Sequence, residues 1–207
     1  NPLRLPSRRT IFTLAAIFSV DSFATRFVVT SLVALWFSMK FGLELAEVSY
    51  LLAGSTLLSA ISQWVAAKLA NTFGLLNIVI ITHIPAVLFI VALPFAPWAW
   101  LAMTLWLGRS FFSQMDGPPR QSYTMAIVNR DERVAMAGIS NVSQATVGAA
   151  TPAFATILWQ SVSASAPFVA SGVLKTVYLV GLYLMFKDVH PPEEEARRAK
   201  RARRSEA

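Results

Sequence analysis

Six apolar stretches, each long enough to cross a bilayer, occupy almost all of the chain between Ile11 and Phe186. A hydrocarbon core about 30 Å deep needs roughly 20 apolar residues of helix. A soluble domain of 207 residues does not repeat that length six times. The pattern predicts an all-α integral membrane protein with six transmembrane helices, at 11–37, 46–70, 75–95, 97–115, 135–159 and 167–186. Lys40, Gly42 and Glu44 separate the first two, Asn71 and Gly74 mark a tight turn, and Pro94 and Pro97 mark the next. Residues 161–165 form a short polar link. The long connection runs from Asp116 to Arg133, with Gly117-Pro118-Pro119-Arg120 at its start and an amphipathic piece, 121–128, behind it.

Charge then sets the orientation. Charged residues are 14% of the chain and hydrophobic ones 55%, yet the net charge is +7. Such a surplus can signal nucleic-acid binding, but here its placement argues against that partner. Arg4, Arg8 and Arg9 precede the first span, Lys68, Arg120, Arg130, Arg133 and Lys187 fall at alternate span ends, and six basic residues crowd 197–204. Only Lys40 sits at the opposite ends. This is the positive-inside bias, and it places both termini in the cytoplasm. Residues 1–192 form the transmembrane domain and 193–207 a charged cytoplasmic tail. In the tail, Glu193/Arg197 and Glu194/Arg198 are spaced for a short surface helix. The tail either touches anionic lipid headgroups or is a solvated segment that reinforces topology.

Several function classes drop out. There is no Cys, so no disulfide or thiolate metal site is available. The two His cannot build a usual metal or haem centre, and no nucleophile elbow, zincin helix or phosphate loop is present. The expectation is a protein that is not an enzyme, with no metal and no cofactor. The first span is too long for a signal peptide and lacks a small-residue cleavage site, so it counts as structure. The chain opens on Asn1 rather than Met, which leaves room for a longer parent chain.

Ionisable side chains at membrane depth are costly and point to function. Asp21 and Arg26 lie in the first span, His83 in the third, Arg109 in the fourth, Gln144 in the fifth and Lys175 in the sixth. From helix rise, Asp21, His83, Arg109, Gln144 and Lys175 stand roughly 12–18 Å from the cytoplasmic edge, so five helices put a polar group near one layer. Thr25, Gln63 and Asn141 extend this polar set as candidate cavity residues. Asp21 and Arg26 are roughly 140° apart around a helix and do not pair locally. Asp21 therefore needs a counter-ion from another helix. Arg109 and Lys175 are the candidates, and Arg109 is preferred because a guanidinium holds a carboxylate bidentately. Two roles remain open: a static ion pair that fixes packing, or a pair whose protonation biases the helices toward a second arrangement. Arg26 lies near the outer interface and can snorkel. His83, two residues before Pro85, is either a proton relay or a hydrogen-bonding core residue.

Span five carries Gly138, Ser140, Ser143, Ala145, Gly148, Ala149, Thr151 and Pro152, a composition for close helix approach with a hinge at the proline. Trp36, Trp98, Trp100 and Trp159 sit near span ends as interface anchors, while Trp64 and Trp106 lie deeper.

The connection Ala67-Lys68-Leu69-Ala70-Asn71-Thr72-Phe73-Gly74-Leu75-Leu76 resembles the cytoplasmic loop signature of the major facilitator superfamily, Gly-x-Leu-Ala-Asp-Arg-x-Gly-Arg-Arg. Leu69, Ala70 and Gly74 match it; Ala67, Asn71, Leu75 and Leu76 depart from it. The stretch from Ser113 to Ala126, followed by Asp131-Glu132-Arg133, is similar to the fourth-to-fifth-helix connection in the carboxyl-terminal half of bacterial drug-efflux-like members. Arg109 falls where such families carry a span-four Arg. Thr151-Pro152 after Gly148 is similar to their span-five antiporter motif, shifted by one residue.

The resemblance covers residues 7–192, one six-helix half of a fold that has two. It implies a bacterial inner-membrane secondary transporter unit, proton-coupled, exporting a small organic or drug-like solute. Its partner is a second six-helix half, from a self-dimer or the same longer chain. Spans 1, 2, 4 and 5 line the cavity, with Asp21, Arg109 and His83 as coupling candidates. The alternative is a structural or assembly subunit of a larger membrane complex.

Overall fold

The computed structural model describes residues 8–73, 75–115, 117, 120–121, 124 and 128–186, with side chains for all of these except 8, 70–73, 75–77 and 186. Among them there is no strand. The helices are α1 (Arg8–Arg26), α2 (Thr30–Phe41), α3 (Leu45–Phe73), α4 (Leu75–Ala92), α5 (Ala99–Ser113), α6 (Arg133–Ser161) and α7 (Ala166–Phe186), with single 3-10 turns at Leu93–Phe95 and Arg130–Glu132. The tail 193–207 lies outside the described residues.

Among the described residues, four helical segments are long and apolar enough to cross a membrane: Arg9–Phe41, Leu45–Leu69, Ile78–Phe95 and Ala166–Met185. The other two expected spans fall short for different reasons. Helix α5 has 15 residues, roughly 22 Å of rise against a core of about 30 Å. Helix α6 has 29 residues but is diluted by Gly, Ser, Thr and Asn.

The expected first span is not one helix. Extended backbone at Val29 (φ −68°, ψ 148°) separates α1 from α2. No Pro or Gly causes the break; Val28-Val29-Thr30 is a β-branched run, whose stiff side chains crowd the preceding turn. The Val28 N–H bonds Thr25 O at 3.4 Å instead of continuing the α-helical ladder. Ala24 O, released by that step, accepts a hydrogen bond from Ser171 Oγ of α7 at 2.7 Å. A neighbouring helix thus satisfies the interrupted backbone, as membrane burial demands. Helix α2 ends on Gly42 in the left-handed region (φ 69°), whose N–H bonds Ser38 O.

Helix α1 packs most extensively on α6, and also on α7; α5 packs on α3 and α4. The α6 core positions are Met136, Ser140, Gly148, Thr151 and Ala155, a helical stripe made mostly of small residues. The helix runs through Pro152 without ending. Trp36 does not anchor at an interface: it is 2% exposed and packs against Phe37, Phe41 and Phe168. Trp98 and Trp100 are exposed and stacked on each other.

The apolar core divides into two clusters. One gathers Phe27, Val33, Trp36, Phe37, Ile90 and Phe168 with their neighbours. The other gathers Ile11, Leu14, Phe18, Val79, Met136 and Tyr178 with theirs. Along α1 the switch falls between Phe18 and Phe23, along α4 between Val79 and Ile90, and along α7 between Phe168 and Tyr178. Asp21, His83 and Lys175 occupy those three gaps.

Candidate functional site

Asp21 follows Ile11, Leu14 and Phe18 on the buried stripe of α1, so helical periodicity turns its carboxylate inward. His83 holds the same kind of position on α4, near Val79 and Ala86, and Lys175 on α7, between Ser171 and Tyr178. They meet. Lys175 Nζ donates to Asp21 Oδ1 at 2.9 Å, and Arg120 Nη1 donates to Oδ2 at 2.7 Å. His83 Nε2 stands 3.8 Å from Oδ1, while its Nδ1 is 3.2 Å from Val79 O. Its ring lies 5.4 Å from that of Tyr178. Asp21, His83 and Lys175 are 7%, 1% and 3% exposed, so water contributes little and the charges compensate one another.

The preferred partner, Arg109, does not take part in this bonding. Helix α5 is held by α3 and α4, whereas α1 is held by α6 and α7. The Lys175 side chain, projecting from α7, therefore reaches the carboxylate and Arg109 does not. Arg109 is 9% exposed and packs its guanidinium on Trp106 at 4.8 Å. Its Nε has no hydrogen-bond partner among the described residues. It interacts with Asp21 only through space, at longer range.

A cavity of about 440 Å³ opens beside the cluster. It is lined by Phe18 of α1, Gln63 of α3, Gly117, Arg120, Gln121 and Thr124 of the long connection, and Met136, Ala137, Ser140, Asn141 and Gln144 of α6. Gln63, Asn141 and Gln144, three of the polar residues singled out in the sequence, share this wall. Span four, expected to line it, contributes none of these residues; the segment around Arg120 takes its place. Gln144 Nε2 donates to Ser140 O, and the Gln144 backbone carbonyl accepts from Ser22 Oγ, which fixes α6 against α1.

Arg120 is the residue that sequence reasoning missed. Its position in the chain marks it only as a basic residue at the cytoplasmic edge. In the fold the Arg120 guanidinium instead lies 5.1 Å from the Phe18 ring and bonds Asp21. Among the described residues it alone both binds Asp21 and lines the cavity. An Arg just behind a Pro-Pro pair, heading an amphipathic segment, was the available signal.

The remaining candidates lie elsewhere. Arg26, at the last turn of α1, is exposed and rests its side chain over Gly148. Thr25 is half-buried beside the α1–α2 break. Leu69 is half-buried on α3, while Gly74 and the Asn71 side chain lie outside the described residues. No group of His, Asp or Glu among the described residues is placed to hold a metal ion.

A helical membrane chain with a buried ionic cluster beside a polar cavity has the parts of a solute carrier, and the model of one family, the Major Facilitator Superfamily, matches residues 13–206. The chain belongs to the Major Facilitator Superfamily. No curated protein and no solved structure matches it. Members of this superfamily are transporters, and the family together with the four long apolar segments makes this a multi-pass membrane protein.

Proposed function

We propose that the chain is a unit of a proton-coupled secondary transporter that exports a small organic or drug-like solute from the bacterial cytoplasm. In this reading the chain crosses the inner membrane six times with both termini inside, and it works with a second six-helix half, either a second copy or part of the same longer protein. Arg120 carries the proposal, because one guanidinium connects the cavity wall to the buried carboxylate.

The coupling follows from charge. With Asp21 ionised, Lys175 and Arg120 are both drawn to its two oxygens. A proton on Asp21 removes the charge that draws both cations to it, and the contact between the cavity wall and the buried carboxylate weakens. His83, 3.8 Å away, is the nearest group able to pass that proton, since an imidazole can both accept and release one. Protonation of Asp21 and occupation of the cavity are then linked through one cluster, which is the minimum a proton-coupled carrier requires.

Reconstitution tests this. Proteoliposomes with a pH-sensitive dye inside should report solute-dependent proton movement, and Asp21→Asn should abolish it while the purified protein keeps its helical signal and thermal transition. Unchanged solute-dependent proton movement in Asp21→Asn overturns the role of Asp21. The second reading, a docking or assembly subunit, has the bare surface of α3 in its favour, since only 17% of its apolar window is buried. That reading expects no flux at all from the wild-type chain, alone or with its partner half.

A further inference from the structure

We infer that Arg109 and Trp106 of α5 form a binding position for a small monovalent anion, either chloride or the carboxylate of a small organic acid. The inference does not depend on the transport reading; it concerns a buried cation that the bonding around Asp21 leaves aside. Helix α5 turns Ala102, Trp106, Arg109 and Ser110 into the protein, and residues three apart share a helix face. Arg109 is 9% exposed and Trp106 5%. Each keeps an N–H donor, Arg109 Nε and Trp106 Nε1, that is shut off from solvent and has no acceptor among the described residues. The neighbouring hydroxyl does not change this, since Ser110 Oγ donates to Trp106 O at 2.8 Å.

The charge of Arg109 has no close answer in the protein either. It enters no ion pair with a described residue. Asp21 acts on it only from longer range, with Lys175 and Arg120 already on the two carboxylate oxygens. The Trp106 ring lies 4.8 Å from the guanidinium carbon, but a cation on an aromatic face recovers less than burial of the charge costs. A buried donor without a protein acceptor points to an ordered water or an ion. Water accepts the hydrogen bond and leaves the charge; an anion answers both. One guanidinium calls for one negative charge, which favours a monovalent ion over a divalent one. A carboxylate suits it further, because the Nε edge of a guanidinium can hold both oxygens side by side.

The indole N–H is its own reporter. The purified chain, carrying isotope-labelled tryptophan and held in detergent free of halide and small carboxylates, should give six indole N–H signals by nuclear magnetic resonance, one per Trp. Trp106→Phe identifies the signal of Trp106 by its loss. Sodium chloride, sodium acetate and acetamide are then titrated separately, with ionic strength held constant by sodium HEPES. The Trp106 signal should move downfield and saturate with chloride or acetate, because its N–H gains an acceptor. Where acetate acts, it should half-saturate at a concentration at least about tenfold below that of acetamide, the difference between a charge-assisted and a neutral hydrogen bond. Arg109→Gln should abolish the saturation, and Arg109→Lys, which keeps the charge, should restore part of it. Saturation by chloride alone assigns an inorganic ion, by acetate alone the carboxylate of an organic acid, and by both a site open to either. A Trp106 signal that neither anion moves, or a response to acetamide as strong as that to the anions, overturns the inference on the wild-type chain, whether or not the Arg109 variants fold. An unaltered response in folded Arg109→Gln overturns it as well.

Discussion

The Arg120 guanidinium bonds the Asp21 carboxylate at 2.7 Å although the two residues are 99 positions apart in the chain. The contact carries the connection between α5 and α6 inward to the gap between the two apolar clusters. There the carboxylate also receives Lys175, so a residue of the connecting segment and a residue of α7 take one oxygen each.

That sharing gives a measurable coupling. Lys175→Met leaves Asp21 with less compensation in a buried place and should lower stability by about 3–5 kcal/mol. Asp21→Asn combined with Lys175→Met should recover about 2–3 kcal/mol of that loss, since neither buried charge remains. Arg120, whose side chain is 26% exposed, can then turn toward water in the cavity. Thermal or denaturant unfolding in a fixed detergent closes the cycle; strictly additive losses would show that the pair is energetically inert.

The hydrogen bond from Ser171 to Ala24 O makes a separate prediction at the α1–α2 break. Ser171 is fully buried, so Ser171→Ala leaves a membrane-buried carbonyl short of a donor at a cost of about 1–3 kcal/mol. The effect should be local. Amide exchange at 27–30 should rise, while α4 and α5 keep their protection. Uniform exchange throughout the protein would mean that the break is stitched by something other than this bond.

Helical periodicity made part of the site legible in the sequence and left the rest hidden. Asp21, His83 and Lys175 sit on the buried stripes of three helices, so spacing and depth were enough to suspect a common layer. Pairing was harder, because it depends on which helices touch. Arg109 and Lys175 stand at similar depths, and only the packing of α1 against α6 and α7 selects Lys175. The break after Arg26 had a weak local signal, a β-branched run that membrane helices ordinarily tolerate. Arg120 was hidden by a rule that works on average: basic residues in a connection mark the cytoplasmic edge, but the rule is blind to a connecting residue that bonds a buried carboxylate.

Close approach at two glycines leads to opposite expectations. A Cβ at Gly172 would overlap Val91 Cγ2 in the interface of α4 and α7, and Val91 is β-branched with little rotamer freedom. Gly172→Ala should therefore cost about 1–3 kcal/mol. Val91→Ala in the same chain should return most of it. A Cβ at Gly148 would instead overlap the Arg26 side chain, which is long, flexible and exposed and can move aside. Gly148→Ala should thus cost less than Gly172→Ala, measured as midpoints of thermal unfolding. The reverse order would place the tighter contact between α1 and α6.

Absence of Cys makes topology testable one residue at a time, since any introduced thiol is the only one in the chain. In the proposed topology, which follows the positive-inside count, the short link between α6 and α7 is expected outside and the basic tail inside. Ser163, exposed in that link, should as Ser163→Cys react with a membrane-impermeant maleimide in intact cells. Ser205→Cys should react only after permeabilisation. A third thiol, Ala149→Cys, exposed near the middle of the expected span in α6, should resist the reagent in both conditions, because in a bilayer that position meets lipid or a partner helix and the thiolate cannot form there. Helix α6 is the element whose length suffices but whose composition is dilute, so this last position bears most directly on six crossings. Ready labelling of Ala149→Cys from the outside would argue against a crossing by α6 and leave the tail on the opposite side from the N-terminus.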